Sequence, residues 1–350
     1  MRGRKRHKEM EIDINGTRKN VQKYTQKGKR SVRRRILLCA LLLCCCLCAC
    51  GRQESETVRI GSLKGPTSLG ILFMMEEAEQ GRTDCEYEFR MAAGADELLP
   101  LLVKGELDIA LVPANVAAVL YRKTEGGVTV IDINTLGVLY LVTGSTEITG
   151  VPDLKGHTIY LTGKGATPEA SLKFILQKSG LTEDDYKLEY KSEAAEVAAV
   201  LAQNPDAIGL LPQPFATAAL MQNENLRIAL DMSAVWESLQ EEEGGAMVTG
   251  VTVVRNEFLR ERRESVETFL EQHRDSVAAI NADPEAGAAL AVEAGIVAEE
   301  PVAVQAIPRC NLVCVTGEEM KSALSAYLDV LAEFDAELVG GGLPEEDFYY

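Results

Sequence analysis

The chain has 350 residues, with 53 acidic against 36 basic side chains and a net charge of −17. Residues 1–49 hold 14 of the basic residues and only 3 of the acidic ones, so the rest of the chain carries 22 against 50. A surface of that sign repels phosphate backbones and anionic headgroups and argues against a nucleic-acid partner, while about 300 residues after the leader are enough for a large core in two lobes.

Six of the nine cysteines lie in Cys39–Cys50, CALLLCCCLCAC. A structural metal site would need a second arm of ligands, and no histidine stands near. The neighbours are Ile36, Leu37, Leu38, Leu41, Leu42, Leu43 and Leu47, and a free cysteine among them behaves as a small hydrophobe. Lys27, Lys29, Arg30, Arg33, Arg34 and Arg35 precede the run, and a polar, acidic stretch comes after it. A charged region, a short apolar core and small residues make an export signal, too short to span a bilayer comfortably. Leu47-Cys48-Ala49-Cys50 resembles a bacterial lipobox, which implies cleavage before Cys50 and a lipid on its thiol, with 1–49 as leader and 50–56 as linker. The basic stretch 1–30 is long for such a signal, and translation starting nearer Val21 or Val32 would shorten it.

From Thr57 onward, short β-branched runs alternate with longer amphipathic stretches, the signature of βαβ units and a mostly parallel sheet. Strands are expected at 58–63, 86–91 and 108–113, with helices from Gly65 to about Gln80, over 95–105 and after Asn115, which can cap the last of them. Residues 128–142 read as one long strand. Gly150–Gly156 is a turn-rich connector, and a second series repeats the order: strands at 157–162, 187–190 and 207–211, helices at 168–179, 193–203 and 215–222. After 226–232 comes an acidic loop at Glu241–Gly245, then a strand at 248–254. The remainder, from Glu257 to Leu338, reads as nearly all helix, and its apolar faces need the first lobe to pack on. The boundaries expected are 57–145 with 246–338 for a first lobe, 146–245 for a second, and 339–350 as an acidic C-terminal tail.

Chemistry is thinly supplied. Beyond the leader only His157 and His273 remain, on different elements, with no zincin pattern, no nucleophile elbow and no paired Cys/His ligands. Neither a metal, a cofactor nor a catalytic residue is expected. Gly163-Lys164 lacks the spacing of a phosphate-binding P-loop. Cys310 and Cys314 are four apart and read either as a local disulfide or as two separate buried thiols.

In open α/β sheets ligands bind beyond the carboxyl ends of strands, against helix N-termini with unpaired N–H groups. Four corners qualify: Lys64-Gly65-Pro66-Thr67-Ser68, Pro113-Ala114-Asn115, Gly163-Lys164-Gly165-Ala166-Thr167 and Pro212-Gln213-Pro214. Two belong to each lobe. The candidates are Lys64, Gly65, Thr67, Ser68, Asn115, Gly165, Thr167 and Gln213, with Thr135 and Thr249 from the strands that cross between lobes. Each could equally serve as a helix cap.

The blocks VRIGSLKGPTSLG, GELDIALVPANVAAVLY, PDLKGHTIYLTGKGATPE and DAIGLLPQPFATAAL, in that order, resemble those of the solute-binding lipoproteins of ABC importers. The resemblance runs over 57–338 and is nearest to the nitrate, sulfonate, taurine and thiamine-precursor binding branch. It implies the type II periplasmic-binding-protein fold: α/β, two lobes with mostly parallel sheets flanked by helices, joined by two crossover strands. It further implies a monomeric, non-enzymatic receptor, lipid-anchored on the outer face of a bacterial membrane, that passes a small polar or anionic solute to a permease and its ATPase. A ligand sensor or partner-binding module is the alternative. An enzyme of the thiamine-pyrimidine synthase kind, or a lyase, is a further one, but CCCLC at Cys44–Cys48 precedes the first strand and would be lost with the leader. Cells fed labelled palmitate should mark the wild-type protein and not Cys50→Ala, and label retained by the variant would remove the lipid anchor.

Overall fold

In the computed structural model, which describes residues 57–240 and 245–350, strand β1 (Val58–Leu63) opens the first lobe. Pro66 at the helix start and a tight turn at Gly65 lead into α1 (Pro66–Leu69), and then α2 (Leu72–Glu79). The single helix expected to run to Gln80 is therefore two pieces. They part at Gly70, where an added Cβ would lie 3.0 Å from Val277 and 3.3 Å from His273 Nε2. Next come β2 (Tyr87–Ala92), α3 (Ala95–Val103), β3 (Ile109–Pro113), α4 (Ala114–Lys123) and β4 (Val128–Leu136). The leader, the linker and Cys50 lie outside the described residues.

The long strand expected over 128–142 breaks at Gly137-Val138 into β4 and β5 (Leu139–Thr143), which belong to different sheets. The second lobe continues through β6 (Thr158–Leu161), α5 (Thr167–Lys178), β7 (Lys187–Tyr190), α6 (Ala194–Gln203), β8 (Ile208–Pro212), α7 (Phe215–Gln222) and β9 (Arg227–Asp231). A helix not expected from the sequence, α8 (Met232–Ser238), starts at Asp231, whose carboxylate accepts from the N–H groups of Ser233 and Ala234. Such a side-chain cap satisfies donors that a helix start leaves unpaired.

Strand β10 (Val248–Arg255) returns to the first lobe, and α9 (Asn256–Glu261), α10 (Arg263–Ala282), α11 (Pro284–Glu293) and α12 (Glu300–Ala306) come after it. Then a short strand that the sequence did not announce, β11 (Leu312–Val315), precedes the last helix, α13 (Gly317–Phe334). The first sheet has the order β11-β4-β10-β3-β1-β2 and the second β7-β6-β8-β5-β9. In each, β1, β2 and β3 or β6, β7 and β8 run parallel, and a strand arriving from the other lobe, β10 or β5, pairs antiparallel. The central parallel strands β3 and β8 are near-continuously apolar, as strands buried on both faces are, while the edge strands β2 and β7 carry exposed charges. Ile109, Ala110, Leu111 and Val112 of β3 are fully buried.

One open choice is decided here and one expectation is corrected. Cys310 and Cys314 are free thiols: Cys310 Sγ donates to Ala306 O at 3.3 Å at the end of a helical turn, while Cys314 lies on β11, beyond the left-handed Asn311. The direction change between them sends the side chains to different neighbours. Residues 339–350 do not trail away as a tail. Phe348 is fully buried and meets Tyr121 edge-on, with ring centroids 5.1 Å apart. Tyr350 N–H donates to Val130 O at 3.0 Å, so the chain end lies along β4. Phe348→Ala should lower the free energy of urea unfolding by about 3–5 kcal/mol, the usual cost of emptying a buried aromatic site. A loss under about 1 kcal/mol would show that the chain end contributes little to the first lobe.

Candidate functional site

The pairing directions decide which chain ends meet. In the first lobe β1 and β3 end where β10 begins, because β10 runs antiparallel to β3, with Gly250 opposite Pro113. Strand β4 is antiparallel to β10 in turn and so ends at the same edge, with Thr135 also opposite Gly250. That edge therefore gathers Lys64–Ser68, Pro113–Asn115, Asn134–Leu136 and Val248–Gly250. Gly250 is required by close approach: an added Cβ would lie 2.4 Å from Asn134 Oδ1 and 2.5 Å from the methyl of Thr67. The N-terminal turn of α1 and the end of β4 can come together only over a residue without a side chain.

The sequence candidates fare differently along this edge. Thr67 is buried against Gly250. Ser68 is fully buried and its hydroxyl donates to Leu63 O, so it closes the turn between β1 and α1. Thr135 is fully buried and its hydroxyl donates to Asn134 Oδ1 at 2.9 Å. Asn115 and Thr249 are half-buried, and Lys64 is exposed with its ammonium toward Gly295. Gly65, at φ 156°, has open space where a side chain would stand.

Behind the edge runs a set of buried polar groups that sequence reasoning missed. Asn134 Nδ2 donates to Thr252 Oγ1 at 3.2 Å, and Thr252 Oγ1 donates to Asp132 Oδ1 at 2.8 Å. The other carboxylate oxygen of Asp132 lies 3.1 Å from His273 Nδ1 on α10. Each of these side chains is essentially removed from solvent. The signal in the sequence was Asp132 and Asn134 two apart in an otherwise apolar strand, with Thr252 among the valines of the partner strand. His273 is in the core, and among the described residues its Nε2 has no partner. Burying such groups is costly unless they are paired, so the chain of contacts fixes the relative positions of β4, β10 and α10.

The second lobe presents the matching edge. Strands β6, β7 and β8 end there, and β5 begins there, with Leu139 opposite Pro212. Gly163 and Gly165 both take left-handed φ in the loop before α5, and the N–H of Gly165 donates to Glu169 Oε2 at 2.7 Å. Thr167 is half-buried at the first position of α5. Gln213 is almost wholly buried, and its backbone N–H donates to Val138 O at 2.9 Å, next to the chain crossing. Its Oε1 accepts from Thr217 Oγ1 at 2.8 Å, which settles the orientation of the amide and leaves Nε2 as a buried donor with no partner. Phe215, the first residue of α7, is 43% exposed.

The lobes are also strapped together on the hinge side. Asn311 Nδ2 donates to Gly137 O at 2.6 Å, and Tyr140 OH donates to Arg309 O at 2.7 Å. The hydroxyls of Ser171 on α5 and Tyr327 on α13 are 3.1 Å apart, and Trp236 of α8 packs between Phe174 and Tyr327. A groove of about 710 Å³ lies instead at the far end of α4, among Arg122, Lys123, Glu337, Glu345 and Asp347. It contains none of the sheet-edge residues, and its acidic and basic side chains face one another as on an ordinary solvated surface.

Known proteins share this fold. Residues 126–287 match the family model described as NMT1/THI5 like. No curated protein matches the chain. Among solved structures, an ABC transporter protein from Parabacteroides distasonis superposes with a TM-score of 0.71 at 23% identity, covering 84% of this chain and 98% of that one. The periplasmic aliphatic sulphonate binding protein SsuA from Escherichia coli gives 0.68 at 16% identity, over 84% and 92%. The alkanesulfonate-binding protein SsuA from Xanthomonas axonopodis pv. citri, bound to MOPS, gives 0.56 at 17%, over 83% and 94%. The chain thus has the fold of periplasmic binding proteins, in agreement with the resemblance carried by its sequence blocks.

Glu169 holds the loop before α5. Burial raises its pKa, but the N–H of Gly165 together with Lys173 and Tyr190 outweighs burial and leaves it below the ordinary value of 4.5. A carboxyl depressed on folding stabilises above its unfolded pKa, and that contribution fades as pH falls through the folded value. Glu169→Gln should therefore cost about 1–3 kcal/mol at pH 7. The gap between the variant and wild type in urea unfolding should shrink steadily below about pH 4, and a gap independent of pH would show that the charge is immaterial.

Proposed function

We propose that the protein is an extracytoplasmic solute receptor of an ABC importer, held at the membrane by a lipid on Cys50. It captures a small polar or anionic molecule between its lobes and delivers it to a permease. The observation that carries this reading is the facing of two strand-end edges, one from each sheet, across a connection as short as Gly137-Val138. Each edge offers helix N-termini and hydroxyl or amide donors: Thr67 and Asn115 from the first lobe, Gly165, Thr167 and Gln213 from the second. Lys64, Gly65, Thr135 and Thr249 lie along the same rim, and Ser68 supports it from behind. Donors at helix starts favour a ligand rich in acceptor oxygens. The neighbouring structures named for sulphonates support such a solute, and nitrate shares that chemistry, while a thiamine-precursor-like molecule would have to use the amide and hydroxyl donors on its ring nitrogens. Among the described residues no helix is long and apolar enough to cross a membrane, and the reading assigns anchoring to the N-terminal lipid.

A solute that touches both lobes interacts with the closed arrangement more than with an open one, so capture and closure are one event. The permease then has a closed, loaded shape to recognise, and the acidic surface can help select its loops. The reading needs no reaction, and the hydroxyls and amides of the two edges serve as binding groups.

A melting screen over sulfonates, nitrate, pyrimidines and amino acids tests the reading. A true ligand at 100 times its Kd should stabilise the fold by about 2.7 kcal/mol. For that ligand, Thr67→Ala or Thr167→Ala should weaken affinity by about tenfold or more, the scale of one hydrogen bond to a charged group. No hit across a broad library, or a hit that neither substitution disturbs, would sink the cleft assignment.

A further inference from the structure

We propose that Asp132, His273 and Cys314 form a binding site for a divalent transition-metal ion of the zinc and cobalt class, inside the first lobe and apart from the cleft. The three side chains come from β4, α10 and β11, and one ligand atom from each lies within 4.8 Å of the others. The separation of 3.1 Å between His273 Nδ1 and Asp132 Oδ2 is close to the edge of a tetrahedron whose corners stand roughly 2.0 Å from a central ion. Among the described residues Cys314 Sγ makes one long contact, 3.9 Å to Leu270 O, and has no shorter hydrogen bond to compete with a metal.

The surroundings resemble those that hold metal ligands in place. Asp132 Oδ1 is fixed by the hydroxyl of Thr252, which is fixed in turn by the amide of Asn134, so Oδ2 is the oxygen left to face the imidazole. Such outer contacts orient a ligating carboxylate. Charge balances as well, because a thiolate and a carboxylate together neutralise a divalent ion in a dry interior. Binding would transfer the thiol proton to solvent as the metal–sulfur bond forms, with no change of oxidation state.

The donor set selects the ion. Thiolate and imidazole favour zinc and its neighbours over magnesium and calcium, which want oxygen ligands. Strand β11 is the edge strand of its sheet, and Cys314 is half-buried where Asp132 and His273 are fully buried. An ion can therefore enter past Cys314. Three protein ligands leave a fourth tetrahedral position for water or a small ligand.

The test uses the full chain, loaded with Zn(II) against a competing chromophore and, separately, with Co(II) alone. Any metal taken up by the leader cysteines is common to wild type and Cys314→Ser, so the quantity read is the difference between the two proteins. Wild type should bind one equivalent more than Cys314→Ser and show additional thiolate-to-cobalt charge-transfer absorption. Thr252→Val should weaken that equivalent by about 10–100-fold, the usual effect of removing an outer contact. Zn(II) should raise the melting temperature of wild type more than that of Cys314→Ser. Equal stoichiometry and equal shifts in the two proteins would overturn the proposal. His273→Asn should likewise abolish the extra equivalent, and if that variant does not fold, the Cys314→Ser and Thr252→Val comparisons decide the matter. None of these readouts involves the solute, so they stand or fall separately from the transport reading.

Discussion

The position of β10 between β3 and β4 is the constraint on which the rest depends. It is antiparallel to both neighbours, so its first residues arrive at the edge where the other strands end. Without that insertion the returning chain would leave β4 detached from β1, β2 and β3, and Thr67, Pro113 and Thr135 would share no edge. Gly250 is the point at which the requirement becomes steric, since any side chain there would drive Asn134 and Thr67 apart. A backbone pairing and a missing Cβ together shape one wall of the cleft.

The same pairing explains the polar interior of the first lobe. Asp132 and Asn134 lie on β4 and Thr252 on β10, so these strands carry their hydrogen bonds across the middle of a sheet that is otherwise apolar. His273 reaches them from α10 because Gly70 lets the helices pack closely. A network of this kind tolerates little displacement, since each lost partner leaves a buried group unsatisfied. The hinge side is built with the opposite economy: single contacts from Asn311, Tyr140 and Tyr327 brace a two-residue crossing. A stiff wall beside a short connection is the arrangement that the proposed closure would use.

Much of this was legible in the sequence where the signal is local. Apolar β-branched runs punctuated by glycine marked β1, β3, β6 and β8, and the corner residues after them stand at helix starts. Other features depended on partners distant in the chain. Strand β11 is four residues long and becomes a strand by pairing with β4, so no periodicity announces it. The break at Gly137-Val138 hides inside a continuously strand-like run because both halves are buried, in different sheets. Residues 339–350 read as an acidic tail from their charge, yet Phe348 and Tyr349 decide where they lie.

By itself the sequence determined the fold class, the order of the lobes and the four corners, because glycines, hydroxyls and hydrophobic period act over a few residues. Only the tertiary structure decided which corners meet, which hydroxyls are already engaged, and that Cys314 keeps company with Asp132 and His273 rather than with Cys310. Those outcomes turn on strand register and helix packing between segments far apart in the chain, where small shifts change which side chains touch.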